Sequence, residues 1–315
     1  MTKKALVTGG TGLLGRYLVD LLIKKNYDVE IIAIKDDYLE EFKDFNLDQA
    51  VNILDIANHD DLKIFLRNNN FDIIFHLAAQ TQVGDALLNP IRTFKTNIEG
   101  TWNLLEINRE LNLPIVVASS DKAYGISEQL PYKEDFNLKG EFPYEVSKSV
   151  TDLLVNTYKK TYGQNVVSMR CGNIYGGGDL NWERLIPGVI KWLLNNETPV
   201  LRSDGTYRRD WVYVEDVAKA YFEVGLKLMN NKVPSIAYNF SSSDNFSVKE
   251  VYDMLSLKIK NKIVEPRYVL SSDLEIPDQY LDSSLINKEL GIISKVNLDT
   301  GLDMTIDWYK EYLKL

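Results

Sequence analysis

The chain carries one cysteine, Cys171, and two histidines, His59 and His76, among its 315 residues. A lone thiol excludes an intramolecular disulfide. So few Cys and His side chains exclude a Cys/His zinc centre, and no metal ligands are assigned. Basic charge is also short: 36 Lys and Arg stand against 45 Asp and Glu, a formal net charge of −9. A surface of that sign repels phosphate backbones and anionic headgroups, which argues against nucleic acid and membrane as partners and requires any anionic ligand to be held by a local group of cations. Long hydrophobic runs are missing too. Met1-Thr2-Lys3-Lys4 leads straight into the short run Ala5-Leu6-Val7, too brief for a signal peptide, and no stretch approaches membrane-spanning length. The expected compartment is the cytoplasm. With 45% hydrophobic and 26% charged residues and no biased tract, the composition is that of a globular protein.

What is present is alternation. Short apolar runs at 5–8, 29–34, 71–76, 115–119 and 166–169 read as strands, and segments of helical period at 13–25, 90–112 and 143–162 read as helices. That order implies βαβ units, and nearly continuous apolar strands imply helices on both sheet faces. The predicted fold is α/β, a doubly wound parallel (Rossmann) sheet with a smaller C-terminal substrate-binding lobe. Residues 1–172 form the dinucleotide-binding domain and 173–315 mainly the lobe, with strands such as 237–240 free to return to the main sheet. Two further helices are expected at 214–228 and 248–258.

After the first strand comes Gly9-Gly10-Thr11-Gly12-Leu13-Leu14-Gly15, a G-x-x-G-x-x-G loop that opens a helix. Glycines let backbone turn tightly against a pyrophosphate, and the helix start offers unpaired N–H donors and a positive dipole end. Gly9, Thr11, Gly12, Leu13, Leu14 and Gly15 are therefore cofactor candidates. The acidic residue that usually closes the second strand is replaced by Ala33-Ile34, followed by Lys35-Asp36-Asp37. Asp36 or Asp37 would meet the ribose hydroxyls of NAD, or Lys35 the 2′-phosphate of NADP, so NAD is the expected cofactor with NADP left open. Asp55 and Ile56, after a weak third strand, are candidates for the adenine edge.

Tyr144 and Lys148 stand one helical turn apart on one face, behind Pro143 at the helix start. A cationic Lys148 beside the phenol would favour the phenolate and supply a base near neutral pH, with Ser120 at a strand end to relay the proton.

Taken together, the glycine loop, His76-Leu77-Ala78-Ala79-Gln80, Thr96-Asn97-Ile98-Glu99-Gly100-Thr101, Ser119-Ser120-Asp121-Lys122-Ala123-Tyr124-Gly125, Tyr144-x-x-x-Lys148 and Arg170-Cys171-Gly172-Asn173-Ile174-Tyr175-Gly176 resemble the extended short-chain dehydrogenase/reductases, the NAD-dependent epimerases and dehydratases of nucleotide-sugars. The resemblance spans nearly the whole chain. It implies cofactor contacts at Leu77, Ala78, Ala79, Gln80, Asn97 and Ser119, besides Tyr144 and Lys148. It also implies a first step in which Tyr144 takes the proton of the sugar C4 hydroxyl as hydride leaves C4. The 4,6-dehydratase branch carries two acid/base residues after the serine, here Asp121 and Lys122. A 4-keto group acidifies the C5 proton, which Lys122 would remove while Asp121 protonates the departing C6 hydroxyl; for this Asp121 must keep its proton and Lys122 must lose one. Lysine in the second position, Gly176-Gly177-Gly178-Asp179 and Tyr280-Leu281-Asp282 are similar to the CDP-glucose 4,6-dehydratases. The alternative is a C4 dehydrogenase or 4-epimerase that leaves C6 alone.

For the nucleotide-diphosphate sugar, the resemblance implies contacts from Gln80, Ser120, Tyr144 and Asn173, with Arg209 on the diphosphate and Arg202 or Leu201 near the base. Family members carry a second diphosphate arginine in a segment matching Glu275-Ile276-Pro277-Asp278, which has none, so Arg267 is the substitute candidate. A homodimer is implied through helices 90–112 and 143–162, the second with an apolar stripe at Val146, Val150, Leu153, Leu154 and Thr157. Stripe-to-core and stripe-to-partner remain alternatives.

Overall fold

The computed structural model describes residues 2–34, 51–269 and 276–314. Asp36 and its neighbours Lys35 and Asp37 lie outside the described residues, as does Glu275. The strands, in chain order, are β1 (Lys4–Thr8), β2 (Asp28–Ala33), β3 (Val51–Ile53), β4 (Ile73–His76), β5 (Ile115–Ala118), β6 (Val166–Cys171), β7 (Asn173–Tyr175), β8 (Val200–Leu201), β9 (Arg208–Tyr213), β10 (Ala237–Phe240), β11 (Asn245–Ser247) and β12 (Arg267–Tyr268). The helices are α1 (Leu13–Lys24), α2 (His59–Arg67), α3 (Val83–Leu88), α4 (Pro90–Phe94), α5 (Gly100–Leu111), α6 (Pro143–Tyr162), α7 (Leu185–Leu194), α8 (Val214–Met229), α9 (Val248–Lys260), α10 (Ser284–Leu290) and α11 (Leu298–Tyr312).

Seven strands form one parallel sheet in the order β10-β6-β5-β4-β1-β2-β3. The reversal of winding beside β1 is the topological switch point at which doubly wound sheets bind ligands, outside the carboxyl ends of the strands. Alternate residues of β1 explain its unbroken apolar run. Ala5 and Val7 pack under α1, α8 and α10, whereas Leu6 packs under α2, α5 and α6. Strand β10 lies against β6 with Ala237 opposite Ser168, so the far edge of the sheet comes from late in the chain. A third core, built from α7, α9 and α11 around Tyr175, Trp211 and Tyr213, stands over the carboxyl ends of the strands.

The expected single helix over 90–112 is not continuous. Pro90–Phe94 and Gly100–Leu111 are separated by a π-helical turn, Lys95–Glu99, which widens the backbone and turns the buried Asn97 inward. Along α6 the buried positions are largely polar, among them Tyr144, Ser147, Lys148, Thr151 and Asp152. Leu153 and Thr157 of the predicted apolar stripe are exposed, and Val146, Val150 and Leu154 are half-buried. The helix thus presents its chemistry to the protein and part of its apolar stripe to solvent.

The polar face of α6 is anchored by a buried ion pair. Arg170 of β6 donates through Nε to Asp152 Oδ1 at 3.1 Å and through Nη1 to the Tyr124 phenol at 2.7 Å and the Glu134 carbonyl at 3.2 Å. Asp152 also accepts from the Ser119 hydroxyl at the end of β5. Removing one partner of a buried pair leaves the other charge uncompensated. Asp152→Ala is expected to cost about 3–5 kcal/mol of unfolding free energy, measured by urea denaturation against the wild-type chain.

Candidate active site

A cavity of about 1100 Å³ opens along the carboxyl ends of the sheet strands, between the sheet and the third core. That exceeds the roughly 300–1,000 Å³ typical of a single small-molecule site, so two ligands fit end to end. At one end lies the glycine loop. Gly9 has φ +69°, and a Cβ there would lie 2.8 Å from the Ala78 backbone; a Cβ on Gly15 would lie 2.3 Å from the Gly9 carbonyl. The loop therefore closes on itself only without side chains, and the start of α1, capped at Gly12 with no side-chain acceptor, faces the cavity. This arrangement fits a dinucleotide pyrophosphate.

Within the described residues, every cofactor candidate borders this cavity except Gln80 and Asn97. Asn97 uses its side chain within the protein: Oδ1 accepts from Gln80 N at 2.8 Å, and Nδ2 donates to Gln80 O and to Ser147 Oγ. The Gln80 amide in turn donates to Gln82 O at 2.9 Å and accepts from Thr93. The side chains of these two residues form a scaffold in which the π-turn asparagine holds the 77–80 loop in place. His76 is also structural. Its ring links Thr8 of β1 to Thr101 of α5 at 2.8 and 2.9 Å, and burial, helped by the Lys148 charge, pushes it down to about 3, so it stays neutral.

The five catalytic candidates meet at the middle of the cavity. Ser120, at the end of β5, caps a 3-10 turn, Asp121–Tyr124; its hydroxyl accepts from Lys122 N and donates to Asp121 Oδ1 at 2.9 Å. Asp121 is buried, and its second oxygen, Oδ2, has no hydrogen-bond partner among the described residues. Lys122 donates from Nζ to Gln279 Oε1 at 2.8 Å. The electrostatics of the tyrosine differ from the sequence-based expectation. Burial pushes the Tyr144 phenol up to about 12, the Asp121 charge adds to the effect, and the Ser120 hydroxyl and Arg184 oppose it. Lys148, pushed down to about 8 by burial against the pull of Asp152, donates to the Ala118 carbonyl at 2.9 Å. Within the protein's own groups, therefore, desolvation outweighs the Ser120 hydroxyl and Arg184, and Tyr144 holds its proton at neutral pH.

At the other end lie Asn173, Leu201, Arg202 and Arg209. Arg209 is buried and donates to the Ile276, Pro277 and Arg208 carbonyls, while the half-exposed Arg202 sits 3.8 Å from Glu183. Arg267 is exposed on β12 and does not border the cavity, so the substitute role expected of it is not supported. Arg184 was not singled out from the sequence. It borders the cavity, pairs with Asp179 at 3.0 Å and reaches Thr81 on the opposite wall at 3.4 Å. An arginine inside an ordinary helix start carries no motif, and its position became visible only with the fold.

Because the loop tolerates no Cβ at position 15, Gly15→Ala is expected to weaken NAD binding by about tenfold or more, equivalent to about 1.4 kcal/mol, measured by calorimetric titration of both proteins.

The profile of the NAD dependent epimerase/dehydratase family matches residues 5–239. A protein of Methanocaldococcus jannaschii, provisionally named a UDP-glucose 4-epimerase, is 32% identical over 316 residues, covering 97% of this chain and 98% of its own. The dTDP-glucose 4,6-dehydratase of Escherichia coli is 27% identical over 341 residues, covering 97% of this chain and 92% of its own. The structure of UDP-glucose 4-epimerase from Thermotoga maritima, solved with UDP-glucose, superposes with a TM-score of 0.90 at 25% identity over 98% of this chain and 99% of that one. The glycine loop, the switch-point cavity and these likenesses agree: the chain belongs to the NAD-dependent epimerase/dehydratase family of nucleotide-sugar enzymes.

Proposed function

We propose that the chain is a nucleotide-sugar 4,6-dehydratase. The observation that carries this reading is Asp121, a buried carboxyl whose Oδ2 has no hydrogen-bond partner among the described residues, on the same turn as Lys122 and beside Ser120 and Tyr144. A site that only oxidises C4 has no use for a second acid and base. A buried polar atom without a partner is costly unless a ligand satisfies it, and a sugar hydroxyl is such a ligand.

Gly9, Gly12 and Gly15, with the start of α1, would hold the NAD pyrophosphate, and the 77–79 loop and Ser119 would flank the cofactor. Held there, NAD would supply the hydride chemistry that links sugar C4 to C6. Tyr144 Oη, turned to phenolate by the positive charge of Lys148 and of bound NAD, would take the proton of the C4 hydroxyl through Ser120 Oγ. Lys148, anchored on Ala118 O, orients the cofactor ribose and adds positive charge near the phenol. With C4 a ketone, Lys122 Nζ takes the C5 proton and Asp121, protonated for this step, delivers its proton to the C6 oxygen, which leaves as water; the proton that Tyr144 took from the C4 hydroxyl returns through Ser120 Oγ to Asp121. Lys122 then returns its proton to C5, and the product is the 4-keto-6-deoxy sugar. Asn173, Arg202 and Arg209 would bind the nucleotide and its diphosphate, with Arg184 closing the cavity wall over the sugar. The active form in this reading is a homodimer, for which the exposed Leu153 and Trp102 on neighbouring helices supply apolar surface.

The second reading is a UDP-glucose 4-epimerase, favoured by the names of the Methanocaldococcus and Thermotoga proteins. In that case Asp121 and Lys122 take no part in bond breaking. By resemblance the nucleotide is CDP, whereas these two relatives are named for UDP and the Escherichia coli enzyme for dTDP.

The protein is to be incubated with CDP-, UDP-, GDP- and dTDP-linked hexoses. One of them is expected to yield a product lighter by one water, without lasting absorbance of reduced nicotinamide. Lys122→Ala is expected to slow water loss by about 100-fold or more while C4 still exchanges hydride, and Tyr144→Phe to abolish both. An isomer of unchanged mass, made equally well by Lys122→Ala, would establish the epimerase.

A further inference from the structure

Lys122 is met by a segment that enters from the far end of the chain. Residues 276–282 cross the site as a strap: Gln279 N donates to Arg208 O at 3.0 Å, Asp210 N donates to Gln279 O at 3.2 Å, and Tyr132 N donates to Tyr280 O at 2.9 Å. Gln279 is fully buried, and its Oε1 accepts from Lys122 Nζ. An ammonium only donates, so the amide oxygen must face it. We propose that Gln279 is a positioning residue for the acid/base step, holding the Lys122 nitrogen against the substrate with a neutral acceptor that leaves the lysine able to give up its charge. This rests on the dehydratase reading above.

The choice of amide over carboxylate is what makes the contact informative. A carboxylate in the same place would bind the ammonium more strongly, favour its charged form and so weaken it as a base. Among the described residues, the titratable groups around the lysine include Asp121 on its own turn and Glu145 on α6, with Tyr144 on α6, Tyr132 in the loop after the turn and Arg209 on β9, which is bonded to the strap, grouped around Asp121 and Gln279. The Gln279 side chain also acts on the Tyr132 phenol, so both readouts are repeated in Tyr132→Phe, where a shift caused by Gln279→Glu that persists reports on Gln279 itself.

The test uses two variants of the full chain and two readouts. Acetylation of Lys122 by acetic anhydride is followed by mass spectrometry as a function of pH in the protein without substrate. Gln279→Glu, which keeps the size of the side chain, is expected to move this profile up by about one pH unit or more. In turnover, the same variant is expected to slow water loss by about tenfold at pH 7 and to recover as pH rises, with C4 hydride exchange unchanged. Gln279→Met is expected to lower kcat for dehydration by about tenfold with KM unchanged. An unshifted acetylation profile in Gln279→Glu, or dehydration at wild-type rate in both variants, would overturn the proposal. Should Gln279→Met fail to fold, the glutamate variant alone decides. Turnover of the wild-type chain without loss of water would overturn the dehydratase reading instead, and the base role of Lys122 with it, whatever the acetylation shows.

Discussion

Arg170 is buried in the centre of the molecule, and a buried guanidinium must have every donor engaged. Its partners come from four separate stretches of chain: Asp152 on α6, Tyr124 on the 3-10 turn, the Glu134 carbonyl in the following loop and, through Tyr124, Asn239 on β10. Asn239 continues outward to the carbonyls of Tyr132 and Asp282. Tyr144 and Lys148 ride on α6, Ser120, Asp121 and Lys122 on the turn, and Gln279 on the strap that ends at Asp282. The distances among these groups therefore depend on one charge that cannot be left unpaired.

The same burial shapes the chemistry. Desolvation raises the phenol of Tyr144 and lowers the amine of Lys148, so neither is set by the other alone. Asp121 belongs to this environment as well: its charge acts on Tyr144, on Tyr132 and on Asp210, whose own carboxyl is pushed up to about 7 by burial. Four acidic or phenolic groups and one lysine share a poorly solvated space, where moving any proton alters the cost of moving the next. On the proposed dehydratase reading, such a site would pass protons between C4, C5 and C6 of one sugar without releasing the intermediates.

Much of this was legible in the sequence because parallel strands covered on both faces leave a continuous apolar signal, as Ala5-Leu6-Val7 does. The glycine loop and the Ser119–Lys122 run were legible because a close turn and a reactive pair demand particular residue types. Other features were not. The π-turn at Lys95–Glu99 has no periodicity of its own, so the bonds by which Asn97 holds Gln80 and Ser147 were not legible. Four-residue spacing placed Tyr144 and Lys148 on one face without revealing how deeply that face is buried, which is why the sign of the tyrosine shift was missed. Gln279 carries no chemical signature until the strap folds over Lys122.

The central claim is that hydride taken from C4 is delivered to C6. It is tested most directly by turning over a nucleotide-hexose labelled with deuterium at C4 and locating the label by NMR. The dehydratase account predicts a product that has lost one water and carries the deuterium in a new C6 methyl group. Deuterium retained at C4, in a product of unchanged mass, would contradict it.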